Sequence, residues 1–274
     1  MKQPTKEQFS SLSPVERFSY RCADYCNQRL KEPLIWWNRT FMFSLIWIGL
    51  SQRLFLHGLK NIESLNKQSR VVIAANHRTF FDFFVITWIT YTFTNLPKRI
   101  YFPVRAKFFY DTIIGTILNF FMGGFAMFPP IMRKESKRVF NRYSIGRLIE
   151  EADVHPLTIG IHPEGTRNKS SDIFSLLPAK PGIGEILIGS QKISMIPMYI
   201  VGPTNNLLLD FWRNWTNPKS FPIHIYIGAP LTPNEFSNKV SDNREHQQQV
   251  ADRCMDEIRK LIEEHRYSLS KDSN

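Results

Sequence analysis

Residues 71–84 read VVIAANHRTFFDFF. An apolar, β-branched run stops at Asn76, as a buried strand does when a turn follows. A histidine and an arginine come next, and then a single aspartate among phenylalanines. Residues five apart on a helix are separated by about 140° around its axis, so His77 and Asp82 would not share a face if both were helical. A strand over 71–75, a turn over 76–78 and a helix opening at Phe80 with Thr79 as its cap bring the two side chains together. His77 then stands just outside the helix and Asp82 in its first turn. Thr79-x-x-Asp82 equally fits a capping box, where the carboxylate serves the helix start and no chemistry.

A second polar loop follows a second strand. Residues 161–168 read IHPEGTRN, with Glu164, Gly165, Thr166 and Arg167 in a turn whose backbone amides and guanidinium suit an anion. A glycine turn with solvated charges has the same appearance.

The surrounding chain alternates. Strand-like segments at 54–57, 70–75, 99–103, 156–161, 193–201 and 223–227 are separated mostly by helical patterns, which predicts an α/β fold with a largely parallel central sheet flanked by helices. An N-terminal helical pair precedes it. The first helix, 14–31, opens with a Ser13 cap and Pro14 at its first position. The second, 33–56, is strongly apolar but carries Asn38 and Arg39, and its uninterrupted part, 40–50, is too short to cross a bilayer. Trp36, Trp37 and Trp47 favour a place at a membrane surface, so the pair is expected to be amphipathic and membrane-associated. The domains expected are 1–56, 57–240 and 241–274, the last a polar helix from about Asn243 to Tyr267 with a frayed SLSKDSN end.

Another apolar stretch, residues 108–128, is long enough to span a bilayer but holds Asp111, Asn119 and three glycines. A single crossing would put His77 and Arg167 on opposite faces of the membrane. The segment is therefore expected to be buried in the protein or to enter one leaflet.

A chain of 274 residues with a net charge of +11 and 14% aromatics suits one α/β domain with extra helices and an anionic partner. Nucleic acid, a phospholipid surface and a phosphorylated substrate all qualify by charge. Nucleic-acid binding wants aromatics interleaved with cations, and here the aromatics sit in apolar runs, so no nucleic-acid partner is expected. Ten cations between Lys98 and Arg147 face only Asp111 and Glu135, a cluster suited to head groups and coenzyme phosphates. No metal site is expected, because His155, His162 and Glu164 lack ligand spacing. Cys22, Cys26 and Cys254 are odd in number and read as idle thiols in a reducing compartment. The polar N-terminus does not read as a secretory signal, which points to the cytoplasm or its membrane face.

NHRTFFD at 76–82, followed some eighty residues later by PEGTR at 163–167, resembles the glycerolipid acyltransferases that share an H-x-x-x-x-D motif, the group that includes lysophosphatidate acyltransferase. MIPMYI, with Pro197 at its centre, resembles the family's final apolar block. PVRAKFFYD resembles its basic stretch, with Arg105 where a lysine is common. The second block departs from the pattern: Gly124 is followed by FAMFPPIM before Arg133, three residues longer than usual. The likeness spans roughly 58–230.

The resemblance implies acyl transfer from a thioester, acyl-CoA or acyl-carrier protein, to a hydroxyl, with no further cofactor. A hydroxyl needs a positioned base, and neutral His77 suits the task while Asp82 fixes its tautomer and stabilises the imidazolium. The thioester is already activated, so no serine or cysteine nucleophile is required. An acceptor phosphate calls for arginine: Arg167 first, Arg133 second, Arg78 third. Glu164 is expected to bond an acceptor hydroxyl or orient Arg167, within a loop that Gly165 and Thr166 complete. Lysophosphatidate is the leading acceptor; another lysophospholipid, glycerol 3-phosphate or a lyso-aminolipid is the alternative, and a basic anion- or nucleic-acid-binding protein without catalysis is the alternative of another class. The expected place is the cytoplasmic face of a membrane.

Overall fold

In the computed structural model, which describes residues 3–236 and 244–272, the apolar runs form strands β1 (Leu54–His57), β2 (Arg70–Ala75), β3 (Ile100–Tyr101), β4 (Val104–Arg105), β5 (Pro130–Ile131), β6 (Leu157–Ile161), β7 (Ser194–Val201) and β8 (Ile223–Ile227). Six of them make one sheet in the order β1-β8-β7-β2-β6-β3, parallel except where β7 meets β8. The other two, β4 and β5, pair separately. β2 lies inside the sheet and is buried from Val71 to Ala75, which is why its sequence is an unbroken apolar run and does not alternate. Its register sets Ala74 beside both Ile161 and Pro197, so the carboxyl ends of β2, β6 and β7 lie side by side. In open α/β sheets that edge is where ligands bind.

The helices are α1 (Lys6–Ser10), α2 (Pro14–Arg29), α3 (Lys31–Trp37), α4 (Phe43–Leu50), α5 (Asp82–Thr92), α6 (Ala106–Phe109), α7 (Ile113–Gly123), α8 (Arg138–Val154), α9 (Gly182–Gly189), α10 (Leu207–Thr216) and α11 (Arg244–Asp272). α2 opens as its sequence predicts: the Ser13 hydroxyl accepts from Glu16 N, the Glu16 carboxylate accepts from Ser13 N, and Pro14 stands first.

Several expectations are corrected. Residues 33–56 do not form one helix; α3 passes through a π-helical turn, Asn38–Met42, into α4, and a short turn at Ser51–Arg53 leads to β1. Asn38 turns inward beneath the π turn, toward the Tyr91 hydroxyl, and Arg53 is wholly buried against Asp210 and Phe221 O. The strand foreseen at 99–103 pairs only over Ile100–Tyr101, because Phe102 N turns away to Ala126 O. α11 continues to Asp272, beyond the predicted end; Asn243 and the 240/241 boundary lie outside the described residues.

The basic cluster is partly interior. Arg147 is buried between Asp24 and Glu151, and Lys137 binds Glu16. Lys31 is also buried, donating to Asn27 Oδ1 and Ile100 O, and burial pulls its amine down to about 7. These contacts fasten the N-terminal helices to α8, to the turn before it and to β3.

The apolar stretch 108–128 breaks into the end of α6, then α7, then a buried run at 125–128. It is not simply core. Gly115, Thr116, Asn119 and Gly123 of α7 face inward, while Ile113, Ile114, Ile117 and Phe121 are exposed. Among the described residues no helix is long and apolar enough to cross a membrane.

Candidate active site

The site grows from the end of β2. Asn76 is buried and its amide bonds both Ile200 N and Ile200 O, replacing the ladder where the strand stops. The chain then turns, and Asp82 organises that turn. Its carboxylate accepts from His77 Nδ1 at 3.0 Å, Arg78 N at 2.8 Å, Thr79 N at 2.9 Å and Thr79 Oγ1 at 2.6 Å. The carboxylate therefore orients the histidine and ties the turn together, but the capping box foreseen at Thr79-x-x-Asp82 does not form, because Thr79 is not the cap of the helix. The helix itself begins at Asp82 and not at Phe80. Thr79 is bonded within the turn to Phe81 N, and Phe81 occupies the cap position.

Asp82 is 1% exposed. Burial pushes its carboxyl upward, but the hydrogen bonds from His77 and Thr79 outweigh that and hold it below the ordinary carboxylate range. Ionised, it fixes the His77 tautomer with the proton on Nδ1, leaving Nε2 for a reacting group.

His77 is pinned by its backbone as well. Its N–H donates to Glu164 Oε1 at 2.8 Å, and its carbonyl accepts from Asn168 N at 2.7 Å. Glu164 Oε2 accepts from Leu177 N at 2.8 Å, and the residue is 1% exposed. Both oxygens that were expected to meet an acceptor hydroxyl or Arg167 are thus occupied by backbone amides. Burial raises this carboxyl, against the two amide bonds. Glu164 fastens the second loop to the first.

The His77 ring lies flat on that of His162, with centroids 4.0 Å apart and planes 2° from parallel. His162 Nδ1 donates to Ala75 O at 3.0 Å, and the Phe102 ring packs on it at 5.0 Å, tilted by 54°. Gly160 is needed there, because a Cβ would stand 2.1 Å from the Phe102 ring. Burial, and then the neighbouring His77, lower His162 to about 3, so its ring is neutral at ordinary pH. Donor atoms of His77, Asp82 and His162 lie within 4.8 Å of one another. Parallel stacked imidazoles aim their lone pairs side by side, not at one point, and His162 Nδ1 is already bonded, so the trio is poorly built for a metal.

A cavity of about 440 Å3 opens beside His77. Its apolar wall includes Ile131, Ile145, Ile161, Ile183 and Ile186, and Arg105, Arg167, Lys169 and Lys180 supply its charge. Gly165 turns the loop at φ +63°, a conformation suited to glycine, and its carbonyl accepts from Arg105 at 2.6 Å. Thr166 lines the cavity, and Arg167 reaches Asn205 Oδ1 at 3.1 Å.

Two predicted cations stand elsewhere. Arg78 points to Ser170 O and Asp172 O and lines a second hollow, of about 630 Å3, on the Asp82 side. Arg133 lines a third hollow with Glu16 and Lys137, which shares Arg105 and Ile131 with the His77 cavity but does not include His77. Lys169, Lys180, Asn205 and the role of His162 were missed. Lys169 adjoins the PEGTR motif and Arg105 lies in the recognised basic stretch, whereas nothing local marks Lys180 or Asn205, which reach the site only through the fold.

An acyltransferase family model matches residues 54–201, over half of the chain. A comparison with curated proteins finds no match. Among solved structures, the 1-acyl-sn-glycerophosphate (LPA) acyltransferase PlsC from Thermotoga maritima aligns with a TM-score of 0.50 at 16% identity, over 91% of this chain and 87% of that one. At that identity the likeness is one of fold.

Proposed function

Since the chain belongs to the acyltransferase family, we propose that it is an O-acyltransferase that moves a fatty acyl group from acyl-CoA or acyl-carrier protein to the free hydroxyl of lysophosphatidate. The observation that carries this reading is the His77–Asp82 pair, 3.0 Å apart, at the wall of a cavity that combines isoleucines with four cations.

In this mechanism His77 Nε2 takes the acceptor hydroxyl proton while the oxygen attacks the thioester carbonyl. Asp82 stabilises the imidazolium. The tetrahedral intermediate collapses, the C–S bond breaks, and His77 returns the proton to the departing sulfur. The oxyanion and an acceptor phosphate both gain from the cations around the cavity, with Arg167 offering bidentate geometry. No Ser or Cys lines this cavity among the described residues, in keeping with direct attack on the thioester. The isoleucine wall suits an acyl chain.

The protein is proposed to work at the cytoplasmic face of a membrane, held by the exposed Trp36, Phe41 and Trp47 of the α3–α4 segment and by the exposed isoleucines of α7. The purified protein, assayed with lysophosphatidate, glycerol 3-phosphate, another lysophospholipid and a lyso-aminolipid against both thioester donors, tests the reading. Turnover highest with lysophosphatidate supports it; turnover only with an acceptor that lacks the phosphate monoester overturns the choice of acceptor.

A further inference from the structure

α10 is amphipathic in the opposite sense to a helix that faces water. Its polar Asp210 and Asn214 are buried, at 1% and 0% exposure, while Leu208, Trp212 and Trp215 are 82%, 59% and 54% exposed. The exposed three follow at i, i+4 and i+7 and so share one face. The inward face is held in place: Asp210 pairs with Arg53 at 2.7 Å and accepts from Thr204, and Asn214 accepts from Gln52 N and donates to Ile48 O. Turning the helix to hide its tryptophans would leave those buried polar groups unpaired.

The neighbourhood has the same character. α10 packs on α4, where Gly49 leaves room for the Phe211 ring, and Trp215 Nε1 donates to Ile48 O. Trp47 and Ile48 of α4 are exposed. The π turn before α4 packs in turn on α7, whose outer side is isoleucine and phenylalanine.

We propose that α10 docks on an anionic phospholipid surface, with Leu208, Trp212 and Trp215 entering the boundary between head groups and acyl chains. Indole rings with a polar N–H and an apolar body favour that boundary. Charge selects the occupant. Between residues 205 and 220 the one acid, Asp210, is buried, whereas Lys219 is exposed and Arg213 is half-buried. Anionic head groups neutralise such a rim; a second copy of the chain would set like charges against each other.

Docking here has a consequence for the site. Asn206 caps α10, and its neighbour Asn205 holds both Arg167 and Phe80 N, so the start of the helix adjoins the cavity. The bilayer contact then presents the Arg167 edge to head groups. That consequence rests on the acyltransferase reading; the docking does not.

The test uses the full chain and vesicles of phosphatidylcholine with about 30% phosphatidylglycerol. L208E/W212E is expected to lower vesicle partitioning by about tenfold or more, with the circular dichroism and melting temperature of the parent retained. Leu208→Cys carrying an environment-sensitive dye, with Cys22 and Cys26 replaced by serine, is expected to shift to the blue on vesicle addition and to be quenched by spin-labelled acyl chains. If the glutamates unfold the protein, the dye decides alone. Parental partitioning of a folded L208E/W212E overturns the proposal, as does a dye that does not respond while the protein sediments with vesicles. A blue shift without lipid, rising with protein concentration together with a dimer, assigns the face to a second copy instead. Each readout is independent of acyl transfer, so loss of activity alone does not bear on it.

Discussion

The turn after β2 and the outer faces of α7 and α10 treat polar groups alike and apolar groups differently. In both regions buried polar side chains bond to the protein: Asp82 and Glu164 at the turn, Asp210 and Asn214 under α10, whereas under α7 Asn119 donates to Met127 O and leaves its amide oxygen without a partner. At the turn the surrounding aromatics pack inward around the polar network, as with Phe102 against His162. On α7 and α10 they point outward. The first arrangement suits the base proposed at His77, and the second leaves apolar surface uncovered by the protein itself. Bonded polar side chains occur in both, so what distinguishes the proposed reaction site from the proposed membrane face is where the apolar atoms go.

The largest effect should come from the turn. His77→Ala removes the base and no core packing, and is expected to cut turnover by about 100-fold or more with the fold intact. Activity above about a tenth of the parent's would end the base assignment. Asp82→Asn should fall comparably and also lose melting temperature, since the carboxylate bonds three backbone or side-chain donors besides His77.

Glu164→Gln comes next. Placing an amide N–H2 against the N–H of His77 or Leu177 should lower kcat by about tenfold or more, since even a small misplacement of the base is costly, and should leave the KM for the acceptor near its parental value. A rise in KM without loss of kcat would return this residue to the substrate. Arg167→Ala should do the reverse, raising the acceptor KM by about tenfold and the donor KM less. Equal changes for both substrates would make Arg167 structural.

The smallest effect concerns pH. His162, held at about 3 when folded, has an unfolded value of about 6.5. The unfolded chain therefore binds the extra proton between these values, and stability present above pH 6.5 is lost as pH falls toward 3. His162→Phe keeps a ring beneath His77 and removes this proton. Its melting temperature should fall less steeply between pH 6.5 and 4 than the parent's, with most activity kept; an unchanged slope would show that other groups dominate acid sensitivity.

Local chemistry made much of the molecule legible. β1, β2 and β8 carry their bounds in apolar runs, and Ser13-Pro14 marks the start of α2 to the residue. The His77–Asp82 contact follows from five residues of chain, because a strand, a turn and a helix start leave little freedom over so short a distance. What the fold alone decided involves residues far apart in sequence. Glu164 reads as a ligand until the loop at Leu177 takes its second oxygen, and Arg133 reads as a phosphate site of the His77 cavity until the fold sets it in a neighbouring hollow. Lys180 and Asn205 join the site across the carboxyl edge of the sheet, and α10 shows its tryptophans because Arg53, some 150 residues earlier, fixes which side faces in. Hydrophobic pattern states which side chains share a face, but whether that face meets core or surroundings depends on partners that only tertiary packing brings near.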